Sequence, residues 1–132
     1  MAPQIAVGAI AVKDGRLLMI QRGRDPGAGL WSLPGGRVEH GELLTAALRR
    51  EVEEETRLMV EVRDLAGVFE VVGDPHYVIL DFFADVTSGD DPLPAGDVSD
   101  ARWVPLDEVA RLPCTPRFVE TLRGWGVLPP SR

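Results

Sequence analysis

The chain lacks the usual marks of secreted and membrane proteins. It has 132 residues and one cysteine, Cys114, so no disulfide can form within it and a cytoplasmic location is the simplest expectation. No apolar run approaches the roughly 18–20 residues that span a bilayer. The start of the chain, Met-Ala-Pro-Gln-Ile, has no basic region typical of a signal peptide. We therefore expect no membrane association.

Positive charge is also scarce, because the formal net charge is −7. This argues against broad nucleic-acid binding, which needs basic patches that displace counterions. It does not exclude an anionic small substrate, since a bound metal and a few arginines can reverse the local charge. With 45% hydrophobic residues and neither an internal repeat nor a low-complexity tract, residues 1–132 are predicted to form one domain.

Strand patterns dominate the first part of the chain, and helices are interspersed. Two apolar runs around Asp14-Gly15 predict a β-hairpin. The remaining pattern predicts a loop at 23–29, a short strand at 30–33, a turn at 34–36 and a helix at 44–58. It then predicts one or two strands within 60–72, a strand at 76–86, a mobile loop at 87–100, a short strand at 101–104 and helices at 105–112 and 115–125. Gly67 is a candidate β-bulge. This order predicts an α/β sandwich with a mixed sheet.

The predicted helix at 44–58 carries three carboxylates where apolar residues are expected. At about 100° per residue, Glu51, Glu54 and Glu55 fall inside or at the edge of its apolar stripe, spaced i, i+3 and i+4. A helix that needed only solubility would place its carboxylates opposite that stripe, as it does Glu53. Buried carboxylates need a compensating cation, and clustered oxygen ligands suit Mg²⁺. The pattern therefore predicts a metal-dependent enzyme.

The same segment resembles the Nudix box, Gly-x5-Glu-x7-Arg-Glu-U-x-Glu-Glu-x-Gly-U, in which U is apolar. It reads Gly36-x5-Glu42-x7-Arg50-Glu51-Val52-x-Glu54-Glu55-x-x-Leu58. The preceding Leu-Trp-Ser-Leu-Pro-Gly-Gly and the later Arg-Trp-Val-Pro-Leu are also similar to the family. The resemblance implies the Nudix α/β/α sandwich. It also implies hydrolysis of a nucleoside diphosphate linked to another moiety, with Mg²⁺ or Mn²⁺ as cofactor.

The resemblance also implies roles for individual residues of the box. Glu51, Glu54 and Glu55 match metal-binding carboxylates, and a backbone carbonyl of Gly35 or Gly36 often adds a ligand. Arg50 matches the arginine that orients a glutamate of the box. Candidate catalytic residues are thus Arg50, Glu51 and Glu54, and candidate metal ligands are Gly36, Glu51, Glu54 and Glu55. Glu42 is expected to hold the geometry of the loop before the helix.

The general base is open between a glutamate of the box and a loop carboxylate. In parts of the family it is the first glutamate after the box arginine, here Glu51, and in others it is a loop carboxylate. Asp97 and Asp100 are the loop candidates. Asp97 is also a candidate metal ligand, because its position six residues before Trp103 is similar to that of a loop metal ligand in MutT-type enzymes. Either aspartate is otherwise a solvated loop residue.

Three arginines flank the box and are candidates for binding phosphate: Arg22, Arg24 and Arg37. Each is equally compatible with a surface role, and Arg22 is preferred because it ends a strand. Arg57 is the one departure from the box, since the family has glycine there to end the helix in a left-handed conformation. A non-glycine residue in that conformation costs about 1 kcal/mol, unless the helix continues or ends differently.

Several functions within the family remain open on the sequence. The lead-in to the box is similar to ADP-ribose pyrophosphatase-like members, which act on ADP-ribose or nucleotide sugars, and MutT-like (d)NTP pyrophosphatases are the alternative. Isopentenyl diphosphate isomerase shares the fold but needs a cysteine-based chemistry that Cys114 alone does not supply. A non-catalytic binding module is the remaining alternative. The expected partner is a nucleotide-type small molecule, and because enzymes of this kind are often dimers, a homodimer is an open expectation.

Overall fold

A computed structural model describes residues 2–89 and 91–131. Asp90, which falls in the predicted loop at 87–100, and the two end residues of the predicted domain lie outside the described residues. The strands are β1 (Gln4–Ile10), β2 (Val12–Lys13), β3 (Arg16–Arg22), β4 (Trp31–Ser32), β5 (Gly35–Arg37), β6 (Met59–Val71), β7 (Tyr77–Ser88) and β8 (Val98–Pro105), and the helices are α1 (Leu44–Thr56), a 3₁₀ turn (Val109–Arg111) and α2 (Phe118–Gly124). None of the described helices has the length and hydropathy of a bilayer span.

Two four-stranded sheets form the centre of the molecule. The first is mixed, in the order β5-β1-β7-β6, with β1 parallel to β7 and the outer strands antiparallel to their neighbours. In the second, β3 pairs antiparallel with β2, β4 and β8. A long connection that carries α1 separates β5 from β6. In the mixed sheet, β1 and β7 are neighbours although they are distant in sequence.

Side chains alternate between the two faces of the mixed sheet, and a helix packs against each face. On one side, Leu48 and Val52 of α1 pack against Val7 of β1. On the other side, Phe118 and Leu122 of α2 share a second core with Ile10 of β1. The predicted α/β/α sandwich with a mixed sheet is confirmed.

Several predicted boundaries shift, because pairing and packing extend or shorten the elements. The first two residues of β5 fall in the predicted turn at 34–36. The ends of the predicted loop at 87–100 belong to β7 and β8. The helix predicted at 105–112 shrinks to the 3₁₀ turn, and the one predicted at 115–125 begins only at Phe118, since Arg117 is left-handed at φ 65°. The pairing of β6 with β7 shifts between Leu65 and Gly67, which confirms the predicted bulge.

The end of α1 resolves the question raised by Arg57. The helix stops at Thr56, and Arg57 adopts the left-handed conformation at φ 64° and ψ 8°. Its backbone N–H donates to the Glu53 carbonyl, as a C-terminal cap does. Arg57 therefore ends the helix where the family has glycine, so the backbone keeps that ending without the residue that adopts it most easily.

Candidate functional site

The carboxylate face of α1 is set by how the helix packs. Ala47, Leu48 and Val52 are buried against the sheet and fix the rotation of the helix about its axis. Glu51 and Glu55 are consequently half-buried beside the sheet, whereas Glu54 remains exposed one turn along. The predicted placement of these carboxylates at the edge of the apolar stripe is thus what the packed helix shows.

The Gly35–Gly36 pair lets the backbone of β5 approach these carboxylates. The Gly35 N–H donates a 2.8 Å hydrogen bond to Oε1 of Glu55. A Cβ atom on Gly36 would lie only 2.5–2.8 Å from the carboxylate atoms of Glu51, so a larger residue would displace that side chain. Glycine is required here because β5 lies directly against α1.

Arg50 connects the remaining carboxylates of the box. Its Nε and Nη2 donate to the two oxygens of Glu42 at 2.8 and 2.9 Å, a two-pronged contact between guanidinium and carboxylate. Its Nη1 donates to Oε1 of Glu51 at 2.8 Å and lies 3.4–3.5 Å from the oxygens of Glu54. Nη2 also donates to the Arg37 carbonyl at 3.1 Å. Arg50 thereby orients three carboxylates and joins α1 to the loop before it.

The electrostatics of the site differ from one carboxyl to the next. The hydrogen bonds from Arg50 lower the pKa of Glu42 to about 2, and the same pairing raises the pKa of the Arg50 guanidinium. Burial raises the pKa of Glu51 despite its bond to Arg50. Burial raises the pKa of Glu55 to about 8, opposed by the Gly35 N–H and increased by the charge of Glu51. Positive charge is therefore most needed at Glu55.

The donor set fits a hard divalent cation. In residues 2–89 and 91–131, no three His, Cys, Asp or Glu side chains stand in a ready-made metal cage, and Arg50 makes the contacts to Glu51 and Glu54. The carboxylates of Glu51, Glu54 and Glu55 nevertheless act on one another, because charge on two of them raises the pKa of the third. An oxygen-only set around a buried carboxyl favours Mg²⁺ or Mn²⁺ over softer metals.

The three candidate arginines have different surroundings. The charge of Arg22 lowers the pKa of Glu55, which places Arg22 within electrostatic reach of the carboxylates, and its Nε donates to the Pro26 carbonyl at 2.9 Å. Arg24 is exposed and pairs with Asp97 at 3.1 Å, while Arg37 donates to the Gln4 side chain at 3.0 Å. Arg22 is thus the candidate whose charge acts on Glu55.

The two aspartates of the predicted loop have different surroundings. The segment before Asp97 adjoins the end of α1, since the Ala95 N–H donates to the Glu55 carbonyl at 3.2 Å. Asp100 instead lies in β8, where its carboxylate accepts hydrogen bonds from Arg102 and the Ala101 N–H, both at 2.8 Å. Of the two candidate bases in the predicted loop, Asp97 is the one whose segment adjoins the carboxylate helix.

One buried carboxyl was not singled out by the sequence analysis. Asp81 lies within β7 and is only 7% exposed. The signal that could have found it is a single acidic residue inside the apolar run Tyr-Val-Ile-Leu-Asp-Phe-Phe-Ala. In a predicted strand, such a residue is easily taken for one on the solvent face.

Comparisons with known proteins agree with this geometry. The NUDIX domain family model matches residues 2–123. The chain is 40% identical over 114 residues to an ADP-ribose pyrophosphatase of Methanocaldococcus jannaschii, covering 83% of this chain and 66% of the relative. It is 38% identical over 122 residues to a putative 8-oxo-dGTP diphosphatase 2 of Mycobacterium tuberculosis, covering 81% and 84%.

Solved structures show the same fold. A MutT NUDIX hydrolase from Burkholderia pseudomallei has a TM-score of 0.84 at 33% identity, covering 93% of this chain and 98% of that one. The chain spans 63–66% of the length of three curated relatives that it matches, including the Methanocaldococcus protein. The family model covers nearly all of the chain. Gly36, Arg50 and the three glutamates of the box lie on β5 and α1, and Glu42 joins Arg50 from the loop between them. The chain therefore belongs to the NUDIX domain family.

Proposed function

We propose that the protein is a metal-dependent pyrophosphohydrolase that cleaves a nucleoside diphosphate linked to another moiety, with ADP-ribose or a nucleotide sugar as substrate. The observation that carries this proposal is the set of Glu51, Glu54 and Glu55 on one face of α1, held by Arg50 and by the Gly35 N–H. The similarity to a protein named ADP-ribose pyrophosphatase supports the substrate class.

When bound, Mg²⁺ or Mn²⁺ would polarise the diphosphate oxygens and lower the pKa of an attacking water. Glu51, Glu54 and Glu55, with the Gly36 carbonyl, are the groups that would hold the cation. Arg50 keeps Oε1 of Glu51 in place at 2.8 Å. Oε2 of Glu51 is then the oxygen that accepts the water proton, and Asp97 is the alternative acceptor.

Phosphate binding falls to Arg22, with Arg24 and Arg37 as further candidates. Arg22 already acts on the charge of Glu55, so an anionic substrate at the carboxylates lies within its field. Arg24 and Arg37 would have to exchange their present partners, Asp97 and Gln4, for phosphate. We therefore assign the largest share of phosphate binding to Arg22.

A MutT-like (d)NTP pyrophosphatase is the second candidate. The relative named putative 8-oxo-dGTP diphosphatase 2 favours it, as does the fold similarity to the MutT NUDIX hydrolase. The two activities differ in their products: the first releases AMP and a sugar phosphate, and the second releases a nucleoside monophosphate and pyrophosphate. A binding module without turnover is the remaining alternative.

The test is a hydrolysis screen with Mg²⁺ or Mn²⁺ over nucleotide sugars, ADP-ribose, dinucleoside polyphosphates and (d)NTPs, with products separated by ion-exchange chromatography. We expect metal-dependent turnover that disappears in the double variant Glu54→Gln, Glu55→Gln. The matched control is Glu53→Gln, because Glu53 lies on the same helix but is exposed on its other side. Its rates should equal those of the unchanged chain.

The products then decide between the candidates. AMP with a sugar phosphate supports the leading proposal, and pyrophosphate release supports the MutT-like alternative. A folded protein that binds nucleotide but hydrolyses no member of the screen would contradict both and favour the binding module. We also propose a cytoplasmic protein and a homodimer, which fractionation and sedimentation equilibrium would test.

A further inference from the structure

The carboxyl of Asp81 is buried without a partner. It is 7% exposed, and no side chain or backbone N–H in the described part of the chain donates a hydrogen bond to it. Asp85, four residues along the same strand, is exposed and pairs with Arg63 at 2.6 Å. An unpaired buried carboxyl destabilises a fold, so such groups are uncommon in native structures unless they serve binding or catalysis.

Glycines flank Asp81 across the sheet. Gly8 of β1 is in register with Asp81 on one side and with Gly35 of β5 beyond it, and Gly67 of β6 is in register on the other side. Residues in register across neighbouring strands share a face of the sheet. Glycine has no side chain. Asp81 is therefore the one residue with a side chain among these four adjacent positions.

Apolar side chains border the same site. The indole ring of Trp125 lies directly on Gly67, where a Cβ atom would collide with it. On the other side, a Leu33 methyl lies 3.5 Å from the position that a Cβ atom on Gly8 would take. Trp125 and Leu33 are both half-buried. Asp81 therefore lies between two apolar walls, a common composition for small-molecule sites with few polar groups.

The carboxyl of Asp81 leans across the sheet toward its β5 edge. Its Oδ1 occupies the space that a Cβ atom on Gly8 would fill, so the side chain leans from β7 over β1 toward β5. On β5, the Gly35 N–H holds Glu55 at 2.8 Å. Two strand spacings, about 10 Å, separate Asp81 from Gly35. A nucleotide spans a similar distance from its 5′-phosphate across the ribose to the base.

We propose that Asp81 is a specificity-determining residue that hydrogen-bonds the nucleobase of the substrate while its diphosphate lies at Glu51, Glu54 and Glu55. The inference rests on the proposed function, since it assumes a nucleotide across the edge of β5. Asp81 lies on the face of the sheet opposite α1, because its neighbour Leu80 packs in the core that contains α1. The base and the diphosphate would thus bind on either side of β5.

The protonation state of the Asp81 carboxyl decides which base edge it can hydrogen-bond. Burial raises the pKa of Asp81 to about 7, so a large share of the molecules keep the proton at neutral pH. A protonated carboxyl presents an O–H donor beside a carbonyl acceptor. That pair complements a base edge with one donor beside one acceptor, such as an amino group beside a ring nitrogen in adenine or cytosine, or a ring N–H beside a carbonyl in uracil. A base whose edge presents two donors would fit this form less well.

The first test measures binding of AMP, CMP, GMP and UMP by calorimetry in Mg²⁺, so that it does not depend on hydrolysis. We expect the unchanged chain to bind one or two of the four nucleotides more tightly than the others. Asp81→Ala should weaken binding of the preferred nucleotide by about 10- to 100-fold, as expected for loss of a buried hydrogen bond to the ligand. The four affinities should then lie close together. Asp81→Asn should keep the preference, because its amide also presents a donor beside an acceptor.

Two further variants separate recognition from stability. Asp85→Asn is the matched control on the same strand and should change neither the affinities nor their ratio. Gly8→Ala retains Asp81 but displaces its carboxyl, so it should also bring the four affinities together if Asp81→Ala does not fold. A merely structural role for Asp81 would lower stability without altering the ratio between bases.

Three results would overturn the assignment. One is an unchanged chain with no preference among the four nucleotides. Another is an unaltered preference in both Asp81→Ala and Gly8→Ala. The third is an equal loss of affinity for all four nucleotides in Asp81→Ala, which would place the contact on the sugar or phosphate. Absence of hydrolysis in the unchanged chain would contradict the proposed function, whereas base preference lost on displacing Asp81 would still support this inference.

Discussion

The two sides of the mixed sheet carry carboxyl groups in opposite circumstances. On the α1 side, Arg50 bonds Glu42 through two nitrogens, and the pKa of Glu42 falls to about 2. On the other side, Asp81 has no described partner, and burial raises its pKa to about 7. Glu55, on the α1 side, has one N–H donor, yet burial still raises its pKa to about 8. Pairing lowers the pKa of an acid and burial raises it, so a carboxylate count does not reveal which acids carry charge.

Removing Arg50 breaks the paired side of this comparison and should have the largest effect. Arg50→Ala releases Glu42, Glu51 and Glu54 from their common partner, so the carboxylates lose their relative positions. We expect kcat for the preferred substrate to fall by about 100-fold or more, since misplacing a catalytic group by about 1 Å can have that effect. Steady-state kinetics at saturating Mg²⁺ measures it.

The matched control is Arg49→Ala, one residue earlier on the exposed side of α1. It removes the same charge from the same helix but leaves the box hydrogen bonds intact. Equal losses of kcat in the two variants would contradict an orienting role for Arg50 and would indicate an effect of net charge alone.

Glu55 sharpens the comparison through the pH dependence of stability. Its pKa is about 8 in the folded chain and near 4.5 when unfolded, so the folded state binds the proton more tightly between these values. Stability therefore falls as pH rises from 4.5 through 8 and the buried group ionises. Glu55→Gln, which never ionises, should be more stable than the unchanged chain at pH 8–9 without metal, by about 1–3 kcal/mol.

Urea unfolding with EDTA at pH 5 and pH 9 measures this difference, which should nearly vanish at pH 5. Adding Mg²⁺ should raise the stability of the unchanged chain more than that of Glu55→Gln, because ligand binding to the folded state stabilises it. Glu53→Gln controls for the loss of one surface charge. A pH-independent difference between Glu55→Gln and the unchanged chain would rule out ionisation of Glu55 as its cause.

Arg57→Gly is the smallest change and leaves both groups of carboxyls in place. Because Arg57 has φ 64°, glycine should stabilise the end of α1 by about 0.5–1 kcal/mol without altering kcat. Thermal unfolding measures the gain. Arg49→Gly, within the helix, should instead destabilise by about 1 kcal/mol. If both glycine variants lowered stability, Arg57 would have a stabilising role beyond its backbone conformation.

Periodic segments were predictable from the sequence, and pairing partners were not. The helix predicted at 44–58 appears as Leu44–Thr56 because its apolar stripe has the period of an α-helix. The ends of the loop predicted at 87–100 belong instead to β7 and β8, whose pairing depends on β6 and β3 far away in sequence. Similarly, Pro116 predicts a helix start, but the left-handed Arg117 delays it to Phe118.

The candidate site divides in the same way. The spacing of Glu51, Glu54 and Glu55 on one helix face follows from the sequence, as does their resemblance to the box. That Arg50 joins Glu51 and Glu54 to Glu42 could be expected only from the family pattern, since Glu42 lies eight residues earlier in a loop. Asp81 could not be assigned, because which face of a central strand is covered depends on elements from other parts of the chain.

The sequence by itself determined the α/β class, the carboxylate face of α1 and the family, because these depend on local periodicity and fixed spacing. The tertiary structure alone decided which acids are paired and which are buried without partners. Arg50 reaches Glu42 because the loop folds back on α1, and Asp81 lies over Gly8 because β1 and β7 are parallel neighbours. Charge and pKa depend on distances across the fold, and those distances exist only once the strands have paired.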